Sequence, residues 1–395
     1  MYDITRERER GIEFMSDVVV VGAGVAGCVM AERFASRGCS VLMLERRRHV
    51  AGNCYDRVDD SGILVGMYGP HIFHTDDARL WEYLSRFTSW RPYHHEVRAF
   101  VDGRLVQLPF SLESLYQLFP ASLAKNFEAI LLDSYGYGAK VPILELRHSA
   151  LKELRALADI IYDKIFLHYT IKQWGLPPDK LDDEVTARLP ILIGHDSRYF
   201  QDRFQAVPKR GYSELFTNML NHKNIKIMLN TDFHDVMKLN DGEIFLFGQR
   251  FCGQLIYTGQ LDELFGKKFG ELPYRSMKMK FETVDAEFFQ DVPVVNYPND
   301  YDFLRITEFK RINPGSFRSP RTTLLYEYPQ DYTAGKNEPC YPLFTDEART
   351  LYEKYCGELS RFDNIALVGR LAEYRYYDID DAVMSALKTF ERLTS

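Results

Sequence analysis

The chain has 395 residues, 46% of them hydrophobic and 27% charged, with a formal net charge of −7. That length accommodates two or three domains with cores of their own. The acidic balance argues against general nucleic-acid binding, which needs a basic face, yet it does not exclude an anionic small ligand, for which a few placed arginines suffice.

The first seventeen residues, "MYDITRERERGIEFMSD", are charged and lack the apolar run of a signal peptide. They read as a tail, or as sequence ahead of a start at Met15. The longest apolar run, from Val18 to Ala31, is broken by three glycines and is too short to cross a bilayer. Six scattered cysteines without a CxxC pair read as reduced thiols. A cytoplasmic protein without membrane insertion is expected. Val18 to Val21 is a β-branched run that predicts a buried parallel strand. Gly22, Gly24 and Gly27 then form GxGxxG: the first permits a tight turn, the second lets a pyrophosphate approach the backbone, and the third lets helix pack on strand. Leu42 to Leu44 predict the second strand, and Glu45 at its end can accept hydrogen bonds from an adenosine ribose. The cofactor implied is a dinucleotide. FAD fits better than NAD because "ERRRHVAGNCYD" follows. An Arg-rich turn and then Ala51-Gly52 resembles the extended FAD-binding loop of glutathione-reductase and amine-oxidase type flavoproteins.

Next comes "YGPHIFHTDD", with His71 and His74 three residues apart. On a helix that spacing would suit a metal. Gly69-Pro70 argues for a loop instead, and no cluster of Cys, Asp or Glu stands ready to complete four ligands, so no metal is expected. "HEVRAFVDGRLVQLPF" alternates around Asp102-Gly103, a hairpin signal. From Ser111 to about Gln173 the apolar residues recur at helical spacing, including the stripe Leu151, Leu154, Ala158, Ile161, Ile165 and Tyr169. "YRSMKMKFETVD", "VPVVNYP", "FLRITEFKRI" and "RTTLLYEYP" predict an antiparallel sheet. Near the end, "NIALVGRLAEYRYYDIDDAVMSALKTFERL" predicts a strand from Ile365 to Val368, Gly369-Arg370, a loop, and a closing helix from about Ile379.

In "HYTIKQWG", "GPHIFHTD", "FLRITE" and "VGRLAEYRYYDID" the sequence resembles the UDP-galactopyranose mutase family, FAD enzymes that contract a nucleotide sugar from pyranose to furanose. The likeness runs from about Val18 to the C-terminus. It implies an α/β architecture: a discontinuous Rossmann-like FAD-binding domain (15–88, 212–274 and 344–395), a helical bundle with a mobile substrate loop (112–190), and an antiparallel sheet domain (89–111, 191–211 and 275–343). Cofactor contacts are implied for Gly22, Gly24, Ala26, Gly27, Glu45, Arg46, Gly52, Asn53, His71, Arg370 and Asp378, and His74 corresponds to the imidazole beside the isoalloxazine. By pattern alone Tyr169 reads as core. By resemblance it stacks on the uracil, among Ile165, Phe166 and Thr170, while Trp174 contacts the ribose region; such stacking is worth roughly 1–3 kcal/mol. A pyrophosphate asks for bidentate, permanently charged donors, and the resemblance assigns the loop residue Arg188 and the strand residue Arg305. Tyr199, Tyr341 and Tyr376 match phosphate-binding tyrosines, Asn296 and Arg370 match positions beside the flavin, and Asp378 matches an acid near the active site.

Ring contraction involves no net redox change. The family uses N5 of reduced flavin as the nucleophile at the anomeric carbon, so no side chain need act as one. The partners implied are a UDP- or dTDP-linked hexose, an external reductant and, in many members, a second copy of the chain. The chain departs from the family pattern at Gly66, where a His is usual, and at His95, where an Asn is usual; both positions are near the sugar by resemblance. Gly66 in place of an imidazole is expected to leave room, and His95 to add bulk and change the donor pattern, so the exact sugar stays open among galactose, N-acetylgalactosamine and fucose. The rival from another class is an amine-oxidase-like flavin oxidoreductase, which would leave the paired arginines and YTIKQWG unexplained.

Overall fold

The computed structural model describes residues 16–180, 190–313 and 319–395. The chain separates into two compact units. The first holds the described residues through Gly52, together with Phe216–Phe269 and Lys354–Ser395. The second holds those of Asn53–Leu215 and Gly270–Glu353.

In the first unit five parallel strands lie in the order Ile225–Met228, Val41–Leu44, Val18–Val21, Gln254–Tyr257 and Ile365–Leu367. Val18–Val21 and Val41–Leu44 are buried along their whole length, as covered parallel strands must be, and that is why they read as unbroken apolar runs. The Val25–Ser36 helix follows the first strand closely because Gly27 has no side chain; a Cβ there would stand 2.0 Å from the Gly22 carbonyl oxygen. The closing helix Ile379–Thr394 packs along it, with Phe34 and Phe390 edge to face at 5.1 Å. Strands far apart in sequence thus complete one Rossmann-like sheet.

The second unit is built on a seven-stranded sheet in the order Tyr341–Pro342, Tyr274–Val284, Thr322–Asp331, Arg305–Glu308, Val294–Asn296, Val97–Val101 and Arg104–Leu108. Its pairs are antiparallel except Val294–Asn296 against Val97–Val101. The hairpin turns at Asp102 (φ 49°) and Gly103 (φ 75°), the left-handed pair that matches strand twist. "FLRITEFKRI" does not stay extended. Its strand stops at Glu308, whose buried carboxylate accepts from Phe289 N, Gln290 N and Thr322 Oγ1, and Phe309–Ile312 coils into a helical turn.

The helical stretch opens on a capping box between Ser111 and Ser114. It comprises Leu112–Leu118, Ala121–Tyr135, Ile143–Arg147, Lys152–Ile161 and His168–Trp174, broken by a short strand, Lys140–Pro142. Between the last two helices Tyr162–Leu167 is a π-helical turn. One core runs through these helices and the hairpin, from Val97, Ala99 and Val106 to Leu115, Leu157 and Ile165, so helices and sheet form a single unit. Residues 53–88 belong to it as well: Asp56–Val58 pairs with Leu64–Gly66, and Phe73–Thr75 with Phe204–Pro208. No helix among the described residues is long and apolar enough to cross a membrane.

Candidate active site

In the first unit the backbone itself forms a cradle. Gly22 turns at φ +98°, and a Cβ there would meet Thr258 Oγ1 at 2.2 Å. Gly24 precedes the Val25–Ser36 helix and no side chain caps that start, so its N-terminal amides suit an anionic ligand. Gly52, at φ +53°, lies so close that its Cβ would stand 2.8 Å from Gly24 Cα. A Cβ on Gly369 would meet that of Ala26 at 3.0 Å. Three segments therefore converge where a pyrophosphate needs bare backbone. Glu45 is buried; its Oε2 accepts from Ala23 N (2.6 Å) and its Oε1 from Arg47 N (2.8 Å). These residues suit a dinucleotide. Arg46 is exposed and Asn53, in the turn Gly52–Cys54, is partly buried.

The return loop has its own bracing. Glu373 accepts from Gly369 N and Ser385 Oγ, both at 2.6 Å. Arg370 Nε donates to the Tyr377 carbonyl at 3.0 Å, and its guanidinium carbon lies 5.3 Å above the Tyr376 ring. Asp378 forms a capping box with Asp381 at the start of Ile379–Thr394, so the acid expected near the active site has a structural task in this unit.

In the second unit the site is a row of side chains. Asn296 pairs with Arg305, and Arg305 with Glu327, directly across three adjacent strands, so all three share one face of the sheet. Arg305 Nε donates to Glu327 Oε1 at 2.7 Å; Glu327 is 1% exposed and the arginine side chain 25%. Burial opposes the guanidinium charge, but Glu327, Tyr169 and Tyr341 beside it outweigh that and hold its pKa well above the ordinary value. Trp174, buried at the helix end, lies 5.8 Å from Tyr341; Thr170 is partly buried on the same helix.

Beside this row a pocket of about 430 Å³, open mouth included, is lined by Ile165, Phe166, Tyr169, Tyr199 and Asn296 with Ala99, Leu108, Pro109, Phe110, Pro190 and Pro298. Asn296 is 6% exposed, and its Oδ1 has no hydrogen-bond partner among the described residues. A buried acceptor left so costs roughly 1–3 kcal/mol; a ligand N–H would relieve it.

His74 sits on the Phe73–Thr75 strand, stacked on Phe200 (3.7 Å between centroids) with Nδ1 3.2 Å from Asp202 Oδ2. The contact holds the Asp202 carboxyl below the usual range. His95 is buried between Phe200 and Tyr199 and shares a 3.1 Å hydrogen bond with Tyr93 Oη. Burial, with Arg305 and His74 nearby, drives its pKa down to about 3, so the ring is neutral at pH 7. His71 lies in the loop, its Nδ1 3.2 Å from the Gly69 carbonyl, and lines a second pocket with Asp56, Gly66 and Tyr212. At Gly66 the structure corrects the expectation of spare room. A Cβ there would stand 2.3 Å from the Gly69 carbonyl oxygen, so the position is filled by backbone rather than vacated by a lost imidazole. Among the described residues no three or more His, Cys, Asp or Glu side chains gather at metal-binding distance.

Arg188 lies outside the described residues. Of the others named from sequence, the structure brings together Ile165, Phe166, Tyr169, Tyr199, Asn296, Arg305 and Tyr341 within the second unit. Tyr376, Arg370 and Asp378 belong to the first unit. Sequence reasoning missed Glu327, Asp202 and Arg275. For Glu327 a signal existed: a lone acid two residues beyond Leu325, on the inward face of a predicted strand.

The profile of the family described as UDP-galactopyranose mutase matches residues 164–376, and that of an NAD(P)-binding Rossmann-like domain matches residues 20–87. The UDP-galactopyranose mutase of Mycoplasma genitalium is 32% identical over 386 residues, 96% of this chain and 95% of that protein. The dTDP-fucopyranose mutase of Escherichia coli is 30% identical over 378 residues, 95% of this chain and 97% of the relative. A crystal structure of reduced UDP-galactopyranose mutase is similar with a TM-score of 0.74 at 16% identity, covering 96% of this chain and 94% of that one; at that identity the likeness speaks for the fold alone.

Proposed function

Because the chain belongs to the UDP-galactopyranose mutase family, we propose that it interconverts the pyranose and furanose forms of a pyrimidine nucleotide-linked hexose, using reduced FAD. The observation that carries this reading is the Asn296–Arg305–Glu327 row beside an apolar slot with one unpartnered acceptor. The slot takes the flat base, with Tyr169 and Phe166 against its faces and Asn296 Oδ1 accepting from a ring N–H. Trp174 and Thr170 lie toward the ribose.

FAD would be held by Gly22, Gly24, Ala26, Gly27, Gly52 and Glu45, with Arg46 and Arg370 as further contacts. Bound and reduced, it supplies a nucleophilic nitrogen for the anomeric carbon. The protein's own contribution lies in the departing diphosphate. Arg305, kept cationic by Glu327, stabilises the negative charge that grows as the anomeric bond to oxygen breaks; Arg188 is proposed as its partner. Tyr341 and Tyr199 offer hydroxyl donors without adding charge. His95, neutral and buried, presents an imidazole to the sugar rather than a second cation. An external reductant, a cytoplasmic setting and a homodimer complete the proposal.

The two relatives named above differ in sugar and base, and His95 is the residue proposed to choose between such substrates. The test is to incubate reduced, FAD-loaded protein with UDP-galactose, UDP-N-acetylgalactosamine and dTDP-fucose and to separate the isomers. At least one should give its furanose form, the oxidised protein should give none, and no oxidant should be consumed. Failure with all three, or turnover that consumes oxidant in proportion to product, would overturn the assignment.

A further inference from the structure

The helix that carries Tyr169, Thr170 and Trp174 begins from an irregular turn. Tyr162–Leu167 is π-helical, a geometry that accommodates an extra residue and is rarely stable unaided. If it tightened to α-geometry, every residue beyond it would rotate by about 100°, and Tyr169 would leave the pocket it lines. The register must be held from further along the chain.

Two side chains tie that end of the helix down, one from the helix itself and one from the sheet. Lys172 Nζ donates to the carbonyls of Tyr297 (2.7 Å) and Asn299 (3.0 Å). Arg275, 6% exposed, donates from Nε to the Gln173 carbonyl at 3.1 Å and from Nη2 to the Lys172 carbonyl at 3.2 Å, while Nη1 pairs with the Asp331 carboxylate. Those carbonyls are among the last of the helix, without partners inside it and at the negative end of its dipole. Gly175 ends the helix at φ +71°, where a Cβ would stand 2.7 Å from Arg275 Nη1. In the sheet Arg275 is opposite Tyr341 on one side and Asp331 on the other. The Arg275 guanidinium therefore joins the helix end to Asp331, on the strand that carries Glu327, while its backbone pairs with the strand of Tyr341.

We propose that Arg275 is a positioning residue: it fixes the rotational register of His168–Trp174, and so the affinity for the nucleotide half of the substrate, without entering the sugar chemistry. The proposal rests on the reading of this site as a nucleotide-sugar site.

The test uses FAD-loaded protein titrated with UDP and with dTDP, whose binding needs no turnover. Arg275→Met should weaken the preferred nucleotide about tenfold and raise KM by a similar factor, with kcat lowered less than about threefold and FAD content unchanged. Millimolar methylguanidinium should restore part of the affinity. Gly175→Ala keeps the guanidinium but pushes it off the carbonyls, and should shift affinity the same way; it decides the matter if Arg275→Met does not fold. Unchanged nucleotide affinity and KM in the folded variants, or a loss confined to kcat, overturns the proposal. Hydrogen exchange separates the two readings if wild-type protein binds neither nucleotide. Faster exchange confined to residues 162–175 in Arg275→Met supports the clamp even though the substrate reading fails, and unchanged exchange there overturns the clamp.

Discussion

Around Gly24 three stretches of backbone meet because Gly22, Gly52 and Gly369 carry no Cβ, whereas around Arg305 the backbone is an ordinary antiparallel sheet and each contact is made by a side chain. The first arrangement is steric: one added methyl group has nowhere to go, so it should fail all at once. The second is electrostatic and hydrogen-bonded, so it should fail by degrees, each loss set by what is left unpaired. The two regions therefore predict different kinds of mutant.

The largest effect is expected in the cradle. Gly27→Val places carbon 2.0 Å from the Gly22 carbonyl oxygen and should abolish flavin binding altogether; flavin released by denaturation, counted per chain, measures it. A variant with full flavin content would end the steric account. Arg305→Ala comes next. It removes a charge-assisted contact worth roughly 1.5–3 kcal/mol, about 10- to 150-fold in turnover, and strands Glu327 at 1% exposure, at a cost of about 3–5 kcal/mol in stability. Flavin content should not change. Adding Glu327→Leu should recover stability but not turnover; if it recovers neither, the pair is not what makes Arg305→Ala unstable.

A smaller effect follows from His95. Its folded pKa of about 3 lies below the unfolded value near 6.5, so between those limits the unfolded chain binds the extra proton. The stability His95 contributes is complete above about pH 6.5 and is lost as pH falls toward 3. His95→Asn should flatten that part of the curve in denaturant melts, and identical acid limbs would show that His95 does not titrate this way. The smallest effect belongs to Ala51, held at φ +74° and fully buried. Ala51→Gly relieves a left-handed alanine that costs about 1–2 kcal/mol while loosening the unfolded chain by about 0.4–1. A net gain of no more than about 1.6 kcal/mol is expected, and a clear loss of stability would show that the methyl group packs productively.

The same contrast explains what the sequence could disclose. Val18–Val21, the three glycines and Glu45 are legible because strand, turn and acid follow one another along a few dozen residues. The Asp102-Gly103 hairpin and the closing helix are local in the same way. Arg275 was not legible as an anchor, and Glu327 showed only as a lone acid on an inward face: what each one holds depends on which residue faces it across a sheet, and register is a property of pairing rather than of either strand. Gly66 misled because a missing side chain reads as empty space until the Gly69 carbonyl is seen to occupy it. The π-helical turn left no mark in a stripe whose spacing suits an α-helix equally well, and the lone acceptor of Asn296 emerges only once its surroundings have closed.

The parallel pairing of Val294–Asn296 with Val97–Val101 has a consequence for how the protein is made. A parallel neighbour cannot be reached by a tight turn, and here the two strands are roughly two hundred residues apart in the chain. Closing so long a loop carries an entropic cost before any contact offsets it, and topologies of this kind fold slowly. Asn296 and Arg305 lie on the late side of that closure. A refolding chain can form its hairpin and its helices well before it has a place for a base, and affinity for the nucleotide should be among the last properties to return.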